Sequence, residues 1–254
     1  MILTVDAGNS KVAFGFFESE KLEHIFTAES RQSATADEYT AFLHTMTNRN
    51  SIQPWSIENI VMSSVVSQML QVLFKALKSI SDKPPLLVSA RVKLNIDIKY
   101  KTPETLGSDR IAAACAAYEA HGGPVIVVDF GTATTLTVVD GSGGLIGGMI
   151  CPGLITGYEA LYSRTSGIPK AGLAYPRSPI GANSVEGVQS GIILGHAAMA
   201  DGIIGMVRKE VGDAPVVATG GLSKMVIPHM GVKAFDEQYL TLHGLKLIHG
   251  LNLK

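Results

Sequence analysis

Val5-Asp6-Ala7-Gly8 and Val128-Asp129-Phe130-Gly131 repeat one short phrase 123 residues apart, close to half of the 254-residue chain. Each phrase closes an apolar run, Ile2-Leu3-Thr4-Val5 in one case and Val125-Ile126-Val127-Val128 in the other. A small hydroxyl residue follows each, Ser10 or Thr132. A strand ending on Asp and then Gly turns sharply and leaves backbone amides and hydroxyls at the turn. Two such turns half a chain apart predict a duplicated domain facing itself across a cleft, with chemistry suited to nucleotide phosphates.

Composition narrows the classes. With 46% hydrophobic and 17% charged residues the chain reads as compact and rather apolar, and its formal charge of −1 gives no bulk attraction to nucleic acid or anionic membrane. No apolar run is read as reaching the roughly 18–20 residues of a membrane helix. The strand-like start predicts no export signal. Cys115 and Cys151 lack metal-ligand spacing, as do the seven histidines, so reduced thiols in a cytoplasmic enzyme or regulator are expected.

Along the chain, strands are predicted at Ile2–Val5, Val12–Phe17 and Leu22–Thr27, and helices at Ala36–Asn48 and Ser67–Ile80 by their apolar spacing. Short strands follow at Asn59–Ser63 and Leu86–Val88. Ser108 is placed as N-cap of an alanine-rich, buried helix Asp109–Ala120. Val125–Val128, Leu136–Val139 and Leu145–Ile150 restart the meander. A long helix capped by Asn183 or Ser184 runs toward Val211 with Gly187, Gly191, Gly195 and Gly202 along it, a spacing that permits close packing against a symmetry mate. Val216–Ala218 is the last buried strand, and the halves are expected to divide as 1–120 and 121–254.

The residues that carry chemistry follow from these turns. In Asp6-Ala7-Gly8-Asn9-Ser10 the glycine lets backbone N–H groups point at an anion, while Asn9 and Ser10 add donors. Asp6 would repel phosphate directly, so a hydrated Mg²⁺ is its natural partner. Lys11 either adds positive charge or points to solvent. An ordinary hairpin turn is the plainer alternative for one copy. The second copy, with Thr132, Thr134 and Thr135, weakens that alternative. Gly147-Gly148 and Pro152-Gly153 bracket a strand that leaves through a rigid, backbone-exposed loop, and Gly220-Gly221 offers backbone against a flat ring such as adenine. In the stretch Tyr100–Arg110, Gly107 and Ser108 bring Asp109 and Arg110 into the first turn of the alanine-rich helix. The helix dipole favours an ionised Asp109 there, able to accept a hydroxyl proton in a loose phosphoryl-transfer transition state. Arg110 could grip a carboxylate or phosphate. Local capping by Asp109 and an exposed Arg110 is the alternative.

The order of these turns resembles the actin-like ATPase (ribonuclease H-like) superfamily, which implies an α/β fold of two duplicated mixed-sheet domains facing a cleft. Over its whole length the chain resembles type III pantothenate kinases. The resemblance rests on Asp6–Ser10, Pro103–Arg110, Asp129–Thr135, Gly147–Gly153, Asn183-Ser184 and Ala218–Gly221. It implies ATP-dependent phosphorylation of pantothenate in coenzyme A synthesis, with Asp109 as general base. Tyr100, Gly107, Ser108, Asp109, Arg110 and Ser184 would hold pantothenate. ATP would lie against Asp6, Ala7, Gly8, Asn9, Ser10, Lys11, Val12, Ala13 and Thr132. Asp129 would hold the monovalent cation, K⁺ or NH₄⁺, that the family requires. The family also implies a homodimer with pantothenate bound at the subunit interface. Ser10 and Ser184 stand where the family usually has Thr, which keeps the hydroxyl; Ala182 stands where Lys is common. Two rival readings are a non-catalytic regulator that keeps the ATP fold and another small-molecule kinase. The three carboxylates Asp6, Asp109 and Asp129 speak against the first, and the short chain against the second.

Overall fold

The structure is a computed structural model and describes residues 1–253. It divides into two compact units, one of Met1–Ala116 with the last segment from Leu240 onward, the other of Ala117–Tyr239.

The first unit opens with β1 (Ile2–Ala7), β2 (Lys11–Glu18) and β3 (Lys21–Glu29), an antiparallel meander. Helix α1 (Ala36–Arg49) starts at a capping box in which Thr35 and Glu38 satisfy each other's backbone N–H groups. Then come β4 (Asn59–Ser64), α2 (Ser67–Leu77), the two-residue strands β5 (Leu86–Leu87) and β6 (Asp97–Ile98), and α3 (Ser108–His121). β4 and β5 add to the sheet in parallel, giving the order β3-β2-β1-β4-β5. Leu3, Val5, Phe14, Phe16, Leu43, Met62 and Leu73 fill the core beneath α1 and α2.

The second unit repeats this topology. β7 (Val125–Phe130), β8 (Ala133–Val139) and β9 (Gly144–Pro152) form its meander. After α4 (Leu154–Arg164) and the 28-residue α5 (Ser184–Val211), β10 (Val216–Thr219) pairs parallel to β7. The short α6 (Ser223–Val226) leads to β11 (Phe235–Asp236), parallel to β10, so these strands run β11-β10-β7-β8-β9. Each unit thus has a meander whose first strand pairs in parallel with one strand, which pairs in parallel with a second, and in each that first strand ends in the repeated Val-Asp-x-Gly phrase. The duplication read from two phrases extends to the strand order.

The final helix α7 (Leu240–Leu251) returns to the first unit and packs on β1 and β4, whereas the sequence division kept 121–254 together. Gly244 makes that return possible, because a Cβ there would overlap the carbonyl of Ala112 in α3. Alanine-rich α3 is buried from Ile111 to Ala117, in keeping with the thin, enclosed helix expected. α4 and α7 lie outside the helices predicted from sequence.

Two expectations change. By length and composition α5 is apolar enough to cross a membrane, although no such run was read from the sequence. Its face of Ile193, Ala197, Ala200, Ile204 and Val207 fills the core of the second unit, which gives its apolarity another use. Its Gly187, Gly191, Gly195 and Gly202 lie on the opposite, exposed side, and a Cβ at any of them would meet nothing within 4 Å. Gly147 and Gly148 stand inside β9, which continues to Pro152 rather than ending in an exposed loop.

Candidate functional site

Asp6 is the next-to-last residue of β1, and the parallel register sets it beside Ser63 of β4. The Ser63 hydroxyl donates to Asp6 Oδ1 at 2.6 Å. One residue on, the backbone N–H of Ser64 donates to Ser108 Oγ at 3.0 Å, and that hydroxyl donates to the Ser64 carbonyl at 3.3 Å. Two adjacent serines at the end of β4 therefore hold Asp6 on one side and the start of α3 on the other. Neither Ser63 nor Ser64 was read as functional, since their partners lie 57 and 44 residues away in sequence.

This arrangement reassigns Ser108. The Gly107 carbonyl accepts the first helical N–H, from Ile111, so Gly107 occupies the capping position. Ser108 is buried, and its hydroxyl braces the helix against β4 instead of capping it. Asp109 bends back over Gly107: a Cβ on that glycine would overlap Asp109 Oδ1. The same oxygen accepts the Arg110 N–H at 2.8 Å.

The electrostatics correct another expectation. Burial pushes the Asp109 carboxyl above its ordinary value, outweighing the Arg110 N–H, the Arg110 charge and its own N–H, which pull it down. The helix terminus does not by itself fix the charge; desolvation wins. A raised carboxylate is a better proton acceptor once ionised. Asp6 is pushed up to about 7, by burial first and by the nearby Asp109 charge, against the Ser63 hydrogen bond. The two carboxylates therefore sense each other.

The turn after β1 also differs from expectation. The Gly8 N–H closes the hairpin onto the Lys11 carbonyl at 3.0 Å, so it does not point at an anion. In the second unit the Gly131 N–H turns in the same way onto the Ala133 carbonyl at 3.2 Å. Antiparallel pairing claims these amides first. Asn9, Ser10 and Lys11 are exposed at the tip, with Val12 buried and Ala13 half-buried behind them in β2, opposite Ala7 and Asp6.

Asp129 holds the equivalent place at the end of β7, opposite Thr135 of β8 and beside Thr219 of β10. Gly220, at φ +94°, presses against this turn: a Cβ would overlap Asp129 Oδ1 and the Phe130 backbone. The Leu222 N–H donates to the Phe130 carbonyl at 3.2 Å. The flat surface expected of Gly220-Gly221 is therefore reduced to Gly221, where a Cβ would meet nothing within 4 Å. The Thr132 carbonyl accepts the Gly153 N–H at 3.1 Å and the Thr156 hydroxyl at 2.7 Å, which ties α4 to the turn. Thr132 itself is exposed. Thr134 is buried, with its hydroxyl 2.7 Å from His196 Nε2 of α5, and burial pushes that imidazole down toward its neutral form.

Tyr100 is half-buried in the loop before the turn Pro103–Thr105, and Arg110 is half-buried in the first turn of α3. Ser184 is exposed as the first residue of α5, one after the Asn183 cap that accepts the Glu186 N–H at 3.0 Å. Asp6, Ser108, Asp109 and Arg110 thus converge in the first unit, while Asp129, Thr132, Gly220 and Gly221 gather around the matching turn of the second.

Among the described residues no three His, Cys, Asp or Glu side chains cluster as a metal cage. Mg²⁺ needs none: it keeps several waters and takes one or two carboxylates together with phosphates. Asp6 fits that role, a crowded carboxylate that positive charge would relieve.

The model of the type III pantothenate kinase family matches residues 2–206. The chain belongs to this family. A type III pantothenate kinase of Exiguobacterium sp. is 35% identical over 254 residues, covering 100% of both chains. One from Syntrophus aciditrophicus is 36% identical over 253 residues, covering 99% of this chain and 100% of its own. Solved structures of like fold include component A of the (R)-2-hydroxyglutaryl-CoA dehydratase of Acidaminococcus fermentans, at TM-score 0.59 and 13% identity, covering 99% of each chain. The activator of the 2-hydroxyisocaproyl-CoA dehydratase of Clostridium difficile, solved with bound ADPNP, gives 0.55 and 11%, covering 99% of this chain and 94% of its own. The chain shares with these structures an α/β fold built on two mixed sheets.

Proposed function

We propose that this chain transfers the γ-phosphoryl group of ATP to the primary hydroxyl of pantothenate, the first step of coenzyme A biosynthesis. The observation that carries the reading is Asp109, held at the head of α3 within electrostatic reach of Asp6 in a chain whose family match spans residues 2–206.

Asp109 accepts the proton of the attacking hydroxyl, and its raised proton affinity suits that task. Arg110 and Tyr100, with Ser184, orient pantothenate; Gly107 leaves room for the base, and Ser108 positions it. Residues Asp6–Ala13, Thr132, Gly220 and Gly221 bind ATP. Asp6 would hold Mg²⁺ and Asp129 a monovalent cation, K⁺ or NH₄⁺, which supply positive charge against the triphosphate when bound. Orientation and electrostatics provide most of the acceleration. The exposed glycine stripe of α5 supports a homodimer, and reduced thiols at Cys115 and Cys151 suit the cytoplasm.

A coupled ADP-release assay with ATP and a panel of hydroxyl acceptors tests the reading. Pantothenate alone should respond, and the signal should rise with K⁺. A response to a sugar in its place, or to no acceptor, overturns the assignment.

A further inference from the structure

The parallel pairing of β1 with β4 fixes Asp6 against Ser63, and Ser63 is fully buried. Its hydroxyl reaches Asp6 Oδ1 at 2.6 Å, the length of a charge-assisted O–H···O⁻ bond. Because both residues sit in a locked strand register, this bond sets the plane of the carboxylate. Oδ1 is occupied from the sheet side. The second unit repeats the placement: the β7–β10 register sets Thr219, also buried, beside Asp129. Thr219 differs in that its hydroxyl reaches the Gln238 carbonyl at 3.4 Å. A hydroxyl residue on the parallel neighbour strand thus stands beside each of the two repeated aspartates.

We propose that Ser63 is a positioning residue for the nucleotide side of the site, fixing Asp6 so that Oδ2 is the oxygen presented to a divalent cation or its water shell. The inference rests on the kinase reading for the role of Asp6. The hydroxyl does two things there. It orients the carboxylate, and it fills the acceptor position of Oδ1 on the side of β4. Partners of metal-binding carboxylates commonly govern affinity in this way. A serine that only filled space at the strand end would leave cation binding indifferent to its hydroxyl.

The test measures Mn²⁺ binding in the presence of ADP by electron paramagnetic resonance, on the full chain and on its S63A and S63T variants. S63A should bind Mn²⁺·ADP about tenfold or more weakly. S63T, which borrows the hydroxyl residue of the second unit, should stay within a few-fold of the parent. Parental affinity in S63A overturns the proposal, and so does an equal loss in S63A and S63T. Where S63A does not fold, S63T and S63V decide: they share a shape and differ in the hydroxyl, so equal affinity overturns the proposal and a loss confined to S63V supports it. Pantothenate takes no part in this titration. Its failure as an acceptor would sink the kinase reading while leaving the binding comparison intact, and indifference to the Ser63 hydroxyl would do the reverse.

Discussion

The hydroxyl of Ser108 is held between the backbone N–H and carbonyl of Ser64, at 3.0 and 3.3 Å. That double contact fixes the first turn of α3 to the end of β4, one residue beyond the serine that holds Asp6. It is the reason two carboxylates from distant parts of the chain sense each other. In S108A the half-buried Ser64 N–H loses its partner, at a cost of about 1 kcal/mol for a lost hydrogen bond. Turnover should fall further than that loss of stability explains, because Asp109 is no longer anchored. S108T should recover part of it. Thermal melts with steady-state kinetics check this; an S108A enzyme of normal kcat would remove Ser108 from the positioning of the base.

Asp109 and Gly107 make a paired prediction. D109N keeps the shape of the side chain and removes the proton acceptor, so turnover should vanish while the fold and ADP binding remain. Substantial retained kinase activity would dismiss Asp109 as base. G107A acts differently: its Cβ would overlap Asp109 Oδ1, the end of a flexible side chain that can swing away. Stability should change little. A displaced base can cost on the order of 100-fold in rate, so kcat should drop with the KM for ATP nearly unchanged. A kcat-against-KM comparison separates this from a general disturbance.

What the sequence made legible was local. The phrase Val-Asp-x-Gly exposed the duplication because a strand, its Asp and its turn lie within a few residues of one another. Burial of α3 was equally readable from its run of alanines. The partners of those residues were not. Ser63 and Ser64 belong to the site only through the β1–β4 register, which no pattern inside Asn59–Ser64 reveals. The return of α7 to the first unit depends on Gly244 meeting Ala112, a contact across 132 residues of chain. A glycine turn suggests a free donor at Gly8, yet the hairpin claims that amide for itself.

The raised proton affinity of Asp6 ties the site to stability. Its carboxyl titrates near 7 in the folded protein, against an ordinary value of 3.8. Between those values the folded state binds a proton that the unfolded state has released. Stability of the ligand-free protein should therefore fall as pH rises from about 4 to about 7. Below that window the penalty is absent, and above it complete. The raised Asp109 acts in the same direction. D6N removes the larger contribution, so its melting temperature should exceed that of the parent at pH 8 and converge with it near pH 4. Mg²⁺ with ADP should raise the parent's melting temperature at pH 8 and leave D6N almost unmoved. A D6N melting temperature below the parent's at pH 8 would mean that Asp6 stabilises the fold by contacts that outweigh its crowding.

Gly195 gives the proposed dimer a test that turns on a sign. It lies on the exposed face of α5, in the same stripe as Gly187, Gly191 and Gly202, and a Cβ there would meet nothing within 4 Å in the chain itself. In an isolated chain, G195A should therefore stabilise the helix by about 1 kcal/mol, the ordinary difference between glycine and alanine inside a helix. If a second copy packs its backbone against the stripe, the added methyl groups push two helices apart, and close-packed contacts tolerate such insertion poorly. The melting temperature should then fall, and the dimer dissociation constant measured by sedimentation should rise. The larger G195M should give a monomer that keeps its fold. A G195A protein that melts higher with an unchanged sedimentation coefficient would show that no second copy covers this stripe.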